Sequence, residues 1–140
     1  MKRYQKKKFT LIEVVIVIVI LVTLASIATP MYMNYVKQAN VGAAKTQLEN
    51  FSSALQGYQL QNKKFPEGDS GLQALIENVE DLESWQGPYL RGVSVIPKDP
   101  WGNDYVYRSP GEEHDVEIVS YGADGEPGGE GDNADIIAFL

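Results

Sequence analysis

The residues best suited to binding chemistry lie in one glycine-rich stretch, residues 124–135, which carries five carboxylates. Its side chains with ligand oxygens are Asp124, Glu126, Glu130, Asp132, Asn133 and Asp135. Calcium takes about six to eight oxygen ligands, and glycine lets a short loop turn its carbonyls inward. Pro127 and the strand patterns on both sides argue against a helix-loop-helix calcium site. The stretch is therefore either a calcium-binding loop or a solvated acidic loop that binds no metal.

A second chemical feature is Glu13, a lone carboxylate at the start of a nearly unbroken apolar run, residues 14–28. An unpaired ion at bilayer depth costs roughly 2.5–3.5 kcal/mol. Glu13 therefore needs a partner of opposite charge, unless its carboxylate rests among lipid headgroups.

Catalytic chemistry has few candidates. The chain has no Cys and a single His, which excludes disulfides, thiolate metal sites and multi-histidine centres. Glu112, His114 and Asp115 could form an acid–base cluster, but their turn-rich segment also fits a solvated hairpin tip. No Ser, Lys or His stands in a recognisable nucleophile motif.

Charge is distributed unevenly along the 140 residues, which are enough for one domain. Five of the twelve Lys and Arg residues lie in residues 1–8, so the remainder carries seven basic against nineteen acidic residues, a net charge of −12. This balance argues against nucleic acid as a partner, because phosphates need neutralising cations.

Residues 11–29 are long enough to cross a membrane, since a helix of that length measures roughly 28 Å. The basic residues before the span place the amino terminus in the cytoplasm and the remainder on the exported side. A cleavable secretory signal would be shorter and would end at a small-residue cut site, of which this sequence has only a poor version.

The remaining pattern predicts an α+β fold. Pro30 predicts a kink or local melting at residues 28–30, and the helix then continues to about Gln61. Its apolar stripe recurs at three- and four-residue intervals and consists of Met31, Tyr35, Val41, Ala44, Leu48, Phe51, Leu55 and Tyr58. Residues 70–78 read as a short helix capped by Ser70, and residues 105–107, 116–120 and 136–139 as strands. We expect the long amino-terminal helix to pack on a small antiparallel sheet.

The order of basic leader, FTLIE at residues 9–13 and apolar run resembles type IV pilins and pseudopilins. Five later motifs narrow the resemblance to the major pseudopilin of type II secretion systems: GLQAL (71–75), WQGPYL (85–90), PKDPWGN (97–103), SPGE (109–112) and SYGADG (120–125). The similarity covers essentially the whole chain. A type IV pilus or competence pilin is the second interpretation, although many such pilins carry a disulfide that this chain cannot form. A membrane-anchored periplasmic enzyme is the third.

The resemblance implies a type IV pilin-like fold and a structural subunit without enzymatic activity. Residues 1–8 would be a prepilin leader, residues 9–30 the membrane and assembly half of the helix, and residues 31–140 the periplasmic domain. Such subunits leave the inner membrane and stack into a periplasmic filament that drives folded proteins across the outer membrane. The implied partners are further copies of the chain, minor pseudopilins, an inner-membrane assembly platform and a prepilin peptidase.

The resemblance also assigns roles near the amino terminus. It implies cleavage between Lys8 and Phe9, N-methylation of Phe9, and neutralisation of a neighbouring subunit's new amino terminus by Glu13. The family has Gly where this chain has Lys8. A bulky charged residue at that position argues against efficient cleavage. The substitution is either engineered to keep the precursor unprocessed or a variant with altered processing.

For the acidic loop, the resemblance implies one structural calcium ion. The implied ligands are the side chains of Asp124, Asp132 and either Asn133 or Asp135, with the backbone carbonyls of Tyr121 and Ala123. Glu126 and Glu130 would face solvent, and the stability of the domain would depend on calcium.

Overall fold

The computed structural model describes residues 8–68 and 70–140 of the chain. It divides into two compact units, Met1–Lys37 and Gln38–Leu140. Apart from Lys8, the predicted leader lies outside the described residues. The domain boundaries expected after residues 8 and 30 stay predictions.

The longest element is helix α1, Leu11–Asn62, which ends one residue beyond the predicted Gln61. Pro30 lies inside this helix, and the residues on both sides of it are helical. The expectation of local melting is therefore wrong, while a kink stays a prediction. Proline removes one backbone hydrogen bond, and the hydrogen bonds of the adjacent turns still hold the helix together.

In the first unit, the part of α1 up to Lys37 is apolar on every side. The apolar side chains from Leu11 to Val36 that carry more than a methyl group are 38–82 % exposed. An 18-residue window of α1 has a mean hydropathy of 3.0 and no buried residue, so the helix is long and apolar enough to cross a membrane.

In the second unit, the later part of α1 contributes one face to a hydrophobic core. From this face, Ala44, Leu48, Phe51, Leu55 and Tyr58 are at most 2 % exposed, which confirms the predicted stripe over this stretch. The core cluster contains Leu48, Phe51, Leu55 and Tyr58 from α1 together with Leu72, Leu75, Leu90, Tyr105, Val116 and Ile118. Phe51 and Tyr105 meet edge to face, with ring centroids 5.1 Å apart.

The sheet of this unit has three antiparallel strands in the order β1-β2-β3. They are β1, Val106–Arg108; β2, Glu117–Ser120; and β3, Ile136–Phe139. Ser120 pairs with Ile136 and Glu117 with Phe139. A long helix and a small antiparallel sheet in the predicted order confirm the α+β class.

The short helix is shorter and tighter than expected. The structure has a 3₁₀ helix at Gly71–Leu75 in place of a helix over residues 70–78. Ser70 has a helical backbone conformation and makes no side-chain cap hydrogen bond, so its predicted capping role is wrong. Gly71 has φ +52°, a left-handed conformation that prevents regular helix from continuing through it. A second 3₁₀ helix, Gly131–Asn133, lies within the acidic loop and was not predicted.

Candidate functional site

The first candidate site is the amino-terminal end of α1, where Thr10 and Glu13 bond reciprocally. Glu13 Oε2 accepts hydrogen bonds from Thr10 N at 2.8 Å and from Thr10 Oγ1 at 3.0 Å. Thr10 Oγ1 accepts a weaker bond from Glu13 N at 3.3 Å. These contacts form a capping box, which satisfies amide donors that a helix start otherwise leaves unpaired.

The sequence interpretation missed this capping box, although its signal was present. Thr and Glu three residues apart, followed by an apolar run, are the usual signature of a capping box. Glu13 thus has a hydrogen-bonding partner within its own chain. Its predicted pairing with a neighbouring subunit's amino terminus stays a prediction. Lys8 and Phe9 precede the helix and are exposed.

The second candidate site is the acidic loop, residues 124–135, within the connection from β2 to β3. The pairing of Ser120 with Ile136 brings the two ends of this connection together. Ala123 N donates to the backbone oxygen of Asp132 at 3.0 Å. A Cβ placed on Gly122 would meet the carbonyl oxygens of Asp132 at 2.7 Å and Ala134 at 3.1 Å. The start and end of the loop therefore lie side by side.

Two carboxylates of the loop accept hydrogen bonds from its own backbone. Asp124 Oδ1 accepts from Glu126 N at 3.1 Å, and both oxygens of Asp135 accept from Gly128 N at 3.0 Å. Glu126 and Glu130 are exposed. Asp132 and Asn133 lie in the 3₁₀ helix Gly131–Asn133.

The donor types of the loop fit calcium, because they are oxygens of carboxylates, an amide and backbone carbonyls. The Asp132 and Ala134 carbonyls approach Gly122 closely, so backbone oxygens also lie beside the start of the loop. Within residues 8–68 and 70–140, however, no three acidic or histidine side chains form a group that could hold a metal ion. The loop thus supplies suitable ligands without a cluster of three carboxylates, and the ligand set stays a prediction.

The residues considered for acid–base chemistry belong to an exposed turn that closes over Glu117. Glu117 is 4 % exposed, and its Oε1 accepts from Glu112 N at 2.9 Å and Glu113 N at 3.1 Å. The His114 ring contacts the Phe139 ring at a centroid distance of 4.4 Å. These contacts support the interpretation as a hairpin tip. Near this turn, Arg108 donates a hydrogen bond to the hydroxyl of Tyr121. The interaction with Tyr121 raises the pKa of Arg108 and keeps its guanidinium charged.

Helix α1 has an exposed apolar first part, and its later part packs on a core that it shares with a three-stranded sheet. This architecture defines a pseudopilin of the type IV pilin-like class. The crystal structure of the major pseudopilin from the type 2 secretion system of enterohaemorrhagic Escherichia coli has this fold. It matches with a TM-score of 0.58 and 32 % sequence identity, covering 75 % of this chain and 90 % of that one. Residues 31–139 match the family model for type II secretion system protein G, and the chain belongs to that family, the family of the major pseudopilin.

Full-length relatives agree with this assignment. The type II secretion system core protein G of Vibrio cholerae is 41 % identical, with 97 % of this chain and 94 % of the relative covered. The protein of the same name from Pseudomonas aeruginosa is 39 % identical, with 97 % and 96 % covered. The predicted resemblance to a major pseudopilin is confirmed, and it takes precedence over the type IV pilus interpretation.

Proposed function

We propose that the chain is a structural subunit, not an enzyme, that polymerises from the inner membrane into a periplasmic pseudopilus. In this proposal, growth of the pseudopilus drives folded proteins across the outer membrane. The observation that carries the proposal is the exposed apolar part of α1, whose side chains need lipid or other helices around them. Membership of the protein G family supports the same assignment.

The proposed arrangement follows from the distribution of apolar and charged residues. The span lies in the inner membrane before assembly, with the basic residues 1–8 in the cytoplasm and residues 31–140 in the periplasm. During assembly the same apolar surface passes from lipid to the spans of neighbouring subunits. The proposed partners are copies of the chain, minor pseudopilins, the inner-membrane assembly platform and the prepilin peptidase.

Glu13 has two roles in this proposal. In the single chain it completes the capping box with Thr10, and in the filament its charge neutralises the amino terminus of a neighbouring subunit. The second role needs an ionised carboxylate, because removing one member of a poorly solvated ion pair leaves the other charge uncompensated. The capping role needs only an acceptor, which the amide of Gln also provides.

This difference gives the test of assembly. We expect Glu13→Gln to keep the helix start but to abolish filament formation and protein export. Thr10→Ala is the matched control, since it removes the side-chain half of the cap and leaves the charge. Filaments are counted by electron microscopy and export is measured as the secreted fraction of a substrate. Normal filaments with Glu13→Gln would refute the charge-pairing role.

Processing at Lys8 and Phe9 is tested by mass spectrometry of the amino terminus after expression with a prepilin peptidase. We propose that Lys8 slows cleavage, because the bulky charged side chain replaces glycine at the cut site. An intact leader with Lys8 and a methylated Phe9 terminus with Lys8→Gly are the expected results. Complete cleavage of the Lys8 chain would show that lysine is tolerated.

We further propose that the acidic loop binds one structural calcium ion. The side chains of Asp124, Asp132 and either Asn133 or Asp135, with the carbonyls of Tyr121 and Ala123, would hold the ion. Calcium supplies positive charge that offsets the repulsion among the loop carboxylates. The chain's own contribution is to hold the two ends of the loop together through the Ala123–Asp132 hydrogen bond.

The calcium proposal is tested by thermal unfolding of the full chain in detergent. We expect a chelator to lower the melting temperature by several degrees and calcium to restore it. Asp124→Asn should abolish the calcium response, whereas Glu130→Gln, which changes an exposed residue of the same loop, should keep it. An unchanged melting temperature in chelator would remove the calcium proposal.

A further inference from the structure

Residues 97–103 contain a buried carboxylate that neither assembly nor the proposed ligand set uses. Asp99 is 5 % exposed, and its Oδ1 accepts from Trp101 N at 3.1 Å and Asn103 N at 2.8 Å. Its Oδ2 accepts from Ser120 Oγ at 2.7 Å, and Ser120 is fully buried. Asp99 N donates to the backbone oxygen of Asn103 at 2.9 Å. This turn, the Asp99 turn (residues 97–103), is thus closed on itself and fastened to the last residue of β2.

The side chain of Asn103 connects the Asp99 turn to the residues that lead into the acidic loop. Asn103 Nδ2 donates to the backbone oxygen of Gly122 at 2.9 Å. A Cβ placed on Gly125 would lie 3.0 Å from Asn103 Oδ1 and 3.2 Å from its Cγ. Gly122 and Gly125 have φ angles of +68° and +70°. The backbone on both sides of Ala123 and Asp124 is therefore held against one amide side chain.

We propose that Asn103, held in place by Asp99 and Ser120, is a positioning residue that fixes residues 122–125 in their cation-binding conformation. The inference rests on the proposed calcium function, because it concerns how the same loop is prepared for the ion. Ala123 and Asp124 are two of the proposed ligand residues. Fixing them before the ion binds lowers the conformational entropy that binding must otherwise remove.

The hydrogen bonds of Asn103 suggest two variants that separate positioning from folding. Asn103→Ala removes the amide. Asn103→Leu keeps a side chain of similar size and the backbone bonds to Asp99 without adding charge beside the loop, but it cannot donate to the Gly122 carbonyl. The matched control is Asn78→Ala, because Asn78 also bridges a turn, donating to Leu82 O at 3.1 Å and accepting from Leu82 N at 3.0 Å.

The experiment uses the full chain in detergent and a glutamate-specific protease. Cleavage after the exposed Glu130, which is followed by Gly131, is measured by mass spectrometry in chelator and at increasing calcium. In chelator, we expect both Asn103 variants to be cut at this site about fivefold faster than the unmodified chain. We also expect them to need about fivefold more calcium for half-maximal protection, while Asn78→Ala behaves like the unmodified chain.

Three results of this experiment would each overturn either the positioning role or the calcium proposal. Unchanged cleavage in chelator and an unchanged calcium midpoint in both Asn103 variants would overturn the positioning role. Equal acceleration by Asn78→Ala would also overturn it, because the effect would then be general loss of stability. If the unmodified chain does not respond to calcium, the calcium proposal fails, and the cleavage rates in chelator still decide whether Asn103 orders residues 122–125.

Discussion

The two parts of α1 differ in what surrounds their apolar side chains. Between residues 11 and 37 apolar residues occur on every side of the helix and all are exposed. Between residues 44 and 58 they are confined to one stripe, which is buried against the core. One continuous helix is therefore exposed over its first part and packed on a core over its later part. The spacing of its apolar residues sets this difference.

An exposed apolar surface and a buried one therefore require different patterns of apolar residues in the sequence. A stripe with a helical period leaves the opposite face polar, so the chain can bury it against its own sheet. A run that is apolar all round has no polar face to turn towards water. It therefore needs a solvent other than water, such as lipid or the same segment of another copy.

The largest effect is expected from truncating the buried stripe. Leu55→Ala should lower the free energy of unfolding of the second unit by about 2–5 kcal/mol, because it leaves a cavity in the core. Leu21→Ala, the same change at an exposed position of the same helix, should change it by less than about 0.5 kcal/mol. Guanidinium unfolding in detergent can be followed by tryptophan fluorescence, since Trp85 and Trp101 both lie in the second unit. Equal losses would contradict the comparison.

Adding a charge to an exposed apolar position should distinguish the two environments. Leu21→Lys should weaken membrane insertion by about 3 kcal/mol, whereas Leu60→Lys should have no effect, although Leu60 is 72 % exposed. The fraction that resists alkaline extraction from membranes measures this. If both lysine variants insert normally, the first part of α1 does not lie in lipid.

A smaller effect is expected at high pH. Burial, with a contribution from the Glu80 carboxylate, raises the pKa of Tyr58 to about 12. The folded chain then holds this proton more tightly than the unfolded chain, whose pKa is 10.0. The associated stability is present below pH 10 and is lost as pH rises towards 12, by up to about 2 kcal/mol. Burial also raises the pKa values of Tyr105 and Tyr107 to about 12.

The check is the unfolding free energy at pH 8 and pH 11. Tyr58→Phe should lose less stability between these two values than the unmodified chain. Tyr35→Phe, which changes an exposed tyrosine of the first part of α1, should follow the unmodified chain. Parallel pH profiles for all three proteins would show that Tyr58 does not contribute.

The smallest effect is expected at the ion pair between Lys64 and Glu80, whose nitrogen and oxygen lie 2.8 Å apart. Desolvation pushes the pKa of Glu80 up, but hydrogen bonds from Lys64 and from Glu67 N outweigh it, so the net pKa lies below 4.5. The stability from Glu80 is thus present above pH 4.5 and is lost as pH falls further.

We expect Lys64→Met to cost about 0.5–1 kcal/mol at pH 7 and less at pH 3. The control is Lys98→Met, since Lys98 pairs with Asp104 in solvent and should have no measurable effect. Denaturant unfolding at both pH values measures the difference. A loss with Lys64→Met that is the same at both values would exclude the contribution of the Glu80 charge.

Elements with a regular period could be predicted from the sequence, and those set by distant contacts could not. The end of α1, the buried stripe and strand β3 were predicted to within one residue. The 3₁₀ helix at Gly71–Leu75 was predicted as a helix over residues 70–78, because apolar spacing reports neither the left-handed backbone of Gly71 at its start nor the turn that follows Leu75. Local period fixes where a helix lies, whereas glycine conformations depend on the surrounding fold.

The candidate sites show the same division. The acidic loop and Glu13 were found from residue type alone. The capping box of Thr10 and Glu13 could have been predicted from the sequence but was missed. The burial of Asp99 could not be predicted, because its partner Ser120 lies 21 positions further along the chain. Only the fold brings the Asp99 turn next to the acidic loop.

The hydroxyl groups of the first part of α1 constrain how neighbouring spans can recognise each other. Thr23 Oγ1 donates to Val19 O, Ser26 Oγ to Thr23 O and Thr29 Oγ1 to Ala25 O, at 2.7–2.8 Å. Each of these hydroxyl protons is already engaged within its own helix. A hydrogen bond donated by one of these three groups to another helix would first have to break the existing bond, so these residues favour contacts through their shape over contacts through donated hydrogen bonds.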